Sequence, residues 1–425
     1  MNKTNRKGFI IEDRENFIFK VPRRAYADED IHEMEQRKIF DKCWLFLGHE
    51  SELPNRGDFK RRRVAGRELI FNRDSEGTIR GIINSCPHRG ALVCREEEGK
   101  SKVFQCFYHA WTFNNKGELV GQPGAKDAYP SNVNCDGALN LKEVPKLENY
   151  RGFIFINFDP NAISLDEYLG NAKEYIDLVV DHSPNGMEVV GGEQKYSMRA
   201  NWKLLAENSV DGYHGLPTHK TYFDYISSKG GELSNDDITG DGRDLGNGHG
   251  VVEYTAPWGR PIAKWIPAWG EDGKKELEEI KKELIDHYGE ERANRIATLN
   301  RNLVIFPNLV INDIMALTIR TFNPVSPDYM EVNAWALAAK GETDKFRERR
   351  LNNFLEFIGP GGFATPDDNE ALELCQEGFK NNRELEWNDI SKGMVKEQPE
   401  ANDEEQMRGF WRQWDKVMTA EEGGE

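Results

Sequence analysis

The sequence is poor in the features that mark several large classes of protein. Six cysteines in 425 residues are too few for a disulfide scaffold, and in a reducing compartment they stand as thiols or metal ligands. No stretch approaches the roughly 18 consecutive apolar residues that a membrane span requires. The longest greasy segment, residues 303–311, is broken by Pro307 and Asn308. Met1-Asn2-Lys3-Thr4-Asn5-Arg6 leads into no apolar signal core, so a cytoplasmic location is expected. Positive charge is in deficit, 56 Lys and Arg against 73 Asp and Glu, a net charge of −17. That balance argues against nucleic acid or an anionic membrane as the main partner. The dense basic run Lys60-Arg61-Arg62-Arg63 is short, and reads either as a solvated strand or as a docking patch for an acidic redox protein. No internal repeat or low-complexity tract occurs. The Gly-rich residues 240–250 lack GxGxxG spacing, so a flexible loop is expected there and no dinucleotide fingerprint is present.

Hydrophobic residues at 38% and aromatics at 11% suffice for a real core in a chain long enough for two packed domains. Residues 1–42 read as a polar helical segment with Ile31, Met34 and Ile39 on one packing face. Residues 43–160 change to short apolar runs separated by Gly, Pro, Asn and Asp, the pattern of a small antiparallel β-sandwich. Residues 161–425 mix both patterns, giving an α+β chain overall. Helical spacing recurs over residues 165–180. Over residues 274–299 it puts Leu277, Ile280, Leu284 and Tyr288 on one stripe, and over 343–358 it aligns Phe346, Leu351, Phe354 and Leu355 before Gly359-Pro360 stops it. Residues 303–311, 316–322 and 330–338 read as buried strands.

The chemistry begins at Cys86-Pro87-His88, followed after seventeen residues by Cys106-Phe107-Tyr108-His109. Two close pairs of soft and borderline ligands, brought together by a hairpin-like return, make a four-ligand metal site. Structural zinc accepts two Cys and two His, but zinc sites usually keep like ligands together in each pair. Pairs that mix one Cys with one His suit a Rieske [2Fe-2S] cluster, with Cys86 and Cys106 on one iron and His88 and His109 on the other. Such a cluster alone needs little more than a hundred residues, so the remaining chain calls for its own purpose.

Cys86-Pro87-His88-Arg89-Gly90 and Cys106-Phe107-Tyr108-His109-Ala110-Trp111 resemble the cluster loops of Rieske non-haem iron oxygenases, in particular the large (alpha) subunits of aromatic-ring hydroxylating dioxygenases. The likeness extends from about residue 30 nearly to the C-terminus.

A second constellation lies in Asn201 to His219. Asp211, His214 and His219 follow Asp-x2-His-x4-His spacing, which on a helix puts Asp211 and His214 on one face. Gly215 and Pro217 would bend the chain so that His219 converges with His214. Two imidazoles and one carboxylate on one face of Fe(II) leave positions open for dioxygen. Asp367-Asp368, after the Gly-Pro-Gly-Gly breaker, is the candidate source of the carboxylate; helix capping is the other role open to this pair. The resemblance assigns the ligand to Asp368, although Thr365 stands where relatives often have Glu.

The resemblance also implies a head-to-tail trimer, α3 or α3β3 with a small beta subunit, in which Asp211 bridges His109 of one chain to His214 of the next. It implies electron delivery by a ferredoxin and/or a flavin reductase, which would carry the NAD(P)H chemistry this chain has no fingerprint for, and the addition of both atoms of O2 to an aromatic ring as a cis-diol. A monooxygenase on the same scaffold, a pure electron-transfer Rieske protein and a zinc-stabilised interaction module are the competing readings. Asn208, three residues before Asp211, matches dioxygenases acting on benzoate- and p-cumate-type acids, and is a candidate to line the pocket. Arg320, the one cation in the apolar run Ala316-Leu317-Thr318-Ile319-Arg320-Thr321-Phe322, is a candidate anchor for the substrate carboxylate. An outward-facing ion pair is its alternative. Cys43, Cys94, Cys135 and Cys375 lack partner spacing and are expected to be small buried residues.

Overall fold

The computed structural model describes residues 8–130, 133–228, 239–256, 258–260 and 262–421; the opening hexapeptide lies outside them. The chain divides into two compact units, Asp41–Leu165 and the remainder on either side of it in sequence.

In the Asp41–Leu165 unit every strand pairing among the described residues is antiparallel, with only short helical turns at Glu50–Glu52 and Ala125–Ala128. One sheet orders Ile79–Ile83, Arg67–Arg73, Asp58–Val64 and Glu98–Lys100; a second orders Lys146–Tyr150, Phe153–Asn157 and Leu45–His49; a third orders Leu119–Gly121, Thr112–Asn114 and Val103–Gln105. The basic run lies on the Asp58–Val64 strand, and three of its charges are neutralised inside the unit. Lys60 pairs with Glu98, Arg61 with Glu68 at 3.6 Å, and the buried Arg62 with Glu52. These pairings weigh against a docking patch.

The other unit is built on a seven-stranded antiparallel sheet in the order Met187–Met198, Tyr329–Ala339, Leu317–Ser326, Leu309–Asp313, Asn300–Ile305, His249–Tyr254 and Gly240–Gly246. Three expectations change here. Residues 303–311 are not one strand but a hairpin, because Phe306-Pro307 turns the chain and pairs Ile305 with Leu309. Residues 240–250 are not a loop but form most of a second hairpin. Their glycines admit the Glu405–Thr419 helix, since a Cβ on Gly242 would lie 2.1 Å from Gln406 Oε1 and one on Gly250 3.0 Å from the Gln406 carbonyl oxygen. Residues 274–299 are two helices, Gly270–Tyr288 and Glu290–Thr298, separated at Gly289.

The N-terminal segment is also corrected: it is not helical from the start. Strands Ile11–Asp13 and Ile18–Pro22 come first, the second burying Phe19 and Val21 in alternation and pairing with Trp387–Asp389. Helix Glu29–Glu35 follows, capped by the Asp28 carboxylate, which accepts the Asp30 N–H at 2.9 Å. Its last residue, Glu35, is fully buried. Glu35 accepts from Lys203 Nζ at 2.6 Å, Trp414 Nε1 at 2.7 Å and Trp202 Nε1 at 2.8 Å. This knot ties the N-terminal helix to the Trp202–Asn208 helix, which leads directly into the site.

Candidate active site

In the Asp41–Leu165 unit, the two ligand loops repeat one backbone design. The Cys86 N–H donates to the Ala91 carbonyl and the Gly90 N–H returns to the Cys86 carbonyl; Cys106 does the same with Trp111 and Ala110. Gly90 and Ala110 both take positive φ, 75° and 58°. The loops bring the imidazoles of His88 and His109 to 4.4 Å between ring centres. Burial pushes the Cys86 thiol up, and its neighbour Cys106 adds to the shift. Two buried sulfurs thus face each other beside two imidazoles, with the Trp111 ring stacked 4.9 Å from His88. This donor set fits a cluster of two irons with unlike ligands.

In the other unit the Trp202–Asn208 helix ends before the motif, so Asp211 and His214 do not share a helix face. They lie in an irregular bend that places Asp211 Oδ2 3.3 Å from His214 Nδ1, an ion-pair distance without hydrogen-bond alignment. The short Gly215–Thr218 helix then carries the chain to His219. Asp368 comes from the second turn of helix Ala364–Gly378, so helix capping does not account for it. Its Oδ1 stands 3.4 Å from both His214 Nε2 and His219 Nε2. The three donor atoms lie within 4.8 Å of one another. Ligands about 2.1 Å from a shared ion stand about 3 Å apart at right angles, so a small shift inward closes the set on one cation.

The electrostatics agree with that fit. Burial opposes a charge on His214, but the Asp211 and Asp368 carboxylates outweigh it and raise its pKa to about 10. Burial would raise the Asp368 carboxyl, yet the two imidazoles hold it below the usual carboxylate range. The donor set of two imidazoles and clustered carboxylates therefore favours a positive charge at its centre. The Asn208 amide donates to Asp368 Oδ1 at 3.0 Å and faces His214 Nε2 at 3.3 Å, so it serves the donor set directly. Asp367 lies 3.6 Å from His219 Nδ1.

Below this group lies a cavity of about 340 Å³, a size suited to a small organic ligand. Its floor is the sheet face carrying Val252, Asn302, Asn312 and Arg320, with Ile314 beside it in the bend that follows Asp313. Arg320 points inward and is 5% exposed, which removes the outward ion pair. Its Nη2 donates to Asn312 Oδ1 at 2.9 Å and Ser209 Oγ at 3.3 Å, while Nε is buried without a partner. Among the described residues no carboxylate lies within ion-pair distance of it. Sequence reasoning missed Asn302 and Asn312. Their equal spacing about Pro307, that of a cross-strand pair, was the available signal. Two of the leftover cysteines also differ from expectation: Cys43 and Cys94 are buried, but Cys135 and Cys375 are exposed.

A β domain with paired Cys-His loops and a separate sheet-and-helix domain with a two-histidine, one-carboxylate cluster define an iron oxygenase with two metal centres. Residues 43–145 match the Rieske [2Fe-2S] domain, and residues 186–420 match the ring hydroxylating alpha subunit catalytic domain. The chain is similar to the toluate 1,2-dioxygenase subunit alpha of Pseudomonas putida, with 34% identity over 90% of this chain and 84% of that one. It is also 34% identical to the 2-halobenzoate 1,2-dioxygenase large subunit of Burkholderia cepacia, over 88% of this chain and 80% of that one. The crystal structure of naphthalene 1,2-dioxygenase from Rhodococcus sp. bound to indole superposes with a TM-score of 0.82 at 32% identity, covering 95% of each chain. The chain belongs to the ring-hydroxylating alpha-subunit family: it is the large subunit of a Rieske aromatic-ring dioxygenase, with a [2Fe-2S] cluster and, as in its family, a mononuclear iron. The family works as a multimeric terminal oxygenase supplied by electron-transfer partners. Among the described residues no helix is long and apolar enough to cross a membrane.

Proposed function

We propose that this dioxygenase acts on an aromatic carboxylate of the benzoate or p-cumate type, the class to which the toluate and halobenzoate of its relatives' names belong. The observation that carries this reading is Arg320, a guanidinium almost wholly removed from water and without a carboxylate partner among the described residues. A buried charge left unpaired is costly, and a substrate carboxylate entering the cavity would supply the missing anion with bidentate geometry.

The remaining residues take the following parts. Cys86, His88, Cys106 and His109 hold the cluster within residues 43–160, and His214, His219 and Asp368 hold the mononuclear iron within residues 161–425, on which residues 1–42 pack. When bound, the iron supplies reductive activation of O2 and the cluster supplies an electron. Asn208 fixes the orientation of Asp368 through its amide, and Asp211 fixes the ring of His214 from the opposite side. The Asp211 carboxylate also accepts the Tyr213 N–H at 2.7 Å, which leaves its Oδ2 to serve His214 and, across a trimer contact, His109 of a neighbouring chain. The apolar side chains Val252, Ile314 and Phe357 exclude water from the ring. A ferredoxin or flavin reductase delivers electrons, a small beta subunit completes an α3β3 assembly, and the enzyme is cytoplasmic.

The test is a single turnover of anaerobically reduced, iron-loaded protein under isotopically heavy dioxygen with pooled aromatic acids, read by mass spectrometry. The expected product is an acid carrying two heavy oxygens and two added hydrogens. One heavy oxygen would replace this reading with a monooxygenase, and no product from any acid would remove the carboxylate assignment.

A further inference from the structure

The sheet floor carries a polar stripe across three strands on the face toward the cavity. Register pairs Asn302 with Asn312, and Arg320 lies two positions along from Thr318, the residue opposite Asn312. The stripe has one possible hydrogen-bond polarity. A guanidinium only donates, so the group of Asn312 that meets Arg320 Nη2 at 2.9 Å is its carbonyl oxygen. The Asn312 amide nitrogen is then the donor to Asn302, 3.0 Å away, and meets the Asn302 carbonyl oxygen. What Asn302 has left is its own NH2 group. Asn302 is half-buried and lines the cavity, and among the described residues its Nδ2 has no partner. An amide that elsewhere is free to flip is here locked, through two hydrogen bonds, by the fixed charge of Arg320.

We propose that Asn302 is a specificity-determining residue that reads a second substituent on the aromatic acid, and that it accepts a hydrogen-bond acceptor there while disfavouring a donor. The proposal rests on the carboxylate reading above and deepens it: Arg320 takes the carboxylate, and Asn302 reads a ring substituent. An acceptor such as an alkoxy oxygen satisfies the Asn302 NH2. An amino group meets that NH2 donor to donor, leaving two polar hydrogens desolvated and unpaired. A methyl group is indifferent, so it provides the reference.

The experiment is calorimetric titration of the iron-loaded holoenzyme, under anaerobic conditions, with the three ring isomers each of methoxybenzoate, toluate and aminobenzoate. At one ring position the methoxy acid is expected to bind roughly tenfold tighter than the toluate, and the amino acid roughly tenfold weaker, the size of one well-made or one denied hydrogen bond. Asn302→Asp keeps the acceptor that Asn312 needs but presents an acceptor to the cavity, and is expected to invert the methoxy-to-amino ratio. Asp and Asn match in size, so steric differences between the acids cancel when the ratio in Asn302→Asp is divided by that in the wild type. Asn302→Ala, which offers neither donor nor acceptor, is expected to give a ratio between the two. A methoxy-to-amino ratio that is the same in the wild type and in Asn302→Asp at all three positions overturns the proposal. Failure of the carboxylate reading shows up separately, as Arg320→Leu leaving the affinity for unsubstituted benzoate unchanged. In that event the same ratios, measured on anisole, toluene and aniline, decide the role of Asn302 alone.

Discussion

Replacing Arg320 by leucine should move ligand-free stability and substrate affinity in opposite directions. The guanidinium is 5% exposed; it donates to Asn312 Oδ1 and Ser209 Oγ and lies against the buried Tyr196 hydroxyl. An uncompensated buried cation costs several kcal/mol. Leucine removes that cost but strands the Asn312 oxygen, a penalty of about 1–3 kcal/mol. The balance leaves the ligand-free variant about 1 kcal/mol more stable than the wild type, a rise of about 2 °C in the melting temperature for a domain of this size. Binding responds the other way. Truncating one member of a desolvated charge pair costs about 3 kcal/mol in the middle of the usual range, or roughly 150-fold in Kd for benzoate or toluate. Arg320→Lys keeps the charge and loses the fork, and should fall between. The assay is differential scanning fluorimetry with and without the acid, where ligand at about 100 times the wild-type Kd stabilises the wild type by about 2.7 kcal/mol and Arg320→Leu by only about 0.3 kcal/mol. A leucine variant that binds the acid with wild-type affinity, or that loses several kcal/mol without ligand, would show that the guanidinium serves the fold and not the substrate.

The other predictions concern the metals and the buried charges. Asp368→Asn should lose the mononuclear iron by metal analysis while keeping the red-brown cluster absorbance, and Cys106→Ser should lose that absorbance; retention of iron by Asp368→Asn would break the ligand assignment. His249 is fully buried, donates from Nε2 to the Tyr168 carbonyl and accepts the Phe306 N–H at Nδ1, and burial lowers its pKa to about 4. Between pH 6.5 and pH 4 the unfolded chain takes up the proton and the fold does not, so stability should fall with acid by about 1.4 kcal/mol per pH unit, about 3 kcal/mol in all, and this contribution should flatten below pH 4. His249→Gln, which supplies the same donor and acceptor without titrating, should reduce that slope in melting temperature against pH; an unchanged slope would exclude His249 as its source. Lys203→Met should destabilise by about 3–5 kcal/mol because Glu35 is left buried with only two indole donors, and adding Glu35→Gln should recover part of the loss; strict additivity in a double-mutant cycle would contradict the coupling.

The cluster loops were legible in the sequence because their design is local. Each uses six consecutive residues, from Cys86 to Ala91 and from Cys106 to Trp111, closed by its own two backbone hydrogen bonds. The histidine pair was half legible. Its spacing was visible, but the expected helix gave way to a bend after Asn208, because a continuous helix does not bring Asp211 and His219 to opposite sides of His214. The glycines of residues 240–250 were misread because their use, admitting the Glu405–Thr419 helix, involves a partner more than a hundred residues away. The alternation at Ile18–Pro22 was masked by a polar surrounding sequence; the strand forms a local pair with Ile11–Asp13 and takes its second edge from Trp387–Asp389, more than three hundred residues away.

Residue type and short-range spacing alone determined which chemistry this chain supports: thiolates and imidazoles in mixed pairs, two further imidazoles, and a carboxylate late in the chain. Only the tertiary structure decided how those groups are used. Asp368 reaches the histidines because helix Ala364–Gly378 packs beside the Trp202–Asn208 helix, a placement that no local pattern encodes. Strand alternation puts Arg320 on one face of its strand or the other with equal ease, and the roof of helices and bends over the sheet makes that face the wall of a cavity instead of the surface. Once the guanidinium is inside and without an anion, hydrogen-bond polarity follows across Asn312 to Asn302, because a group that can only donate dictates the direction of every bond downstream of it.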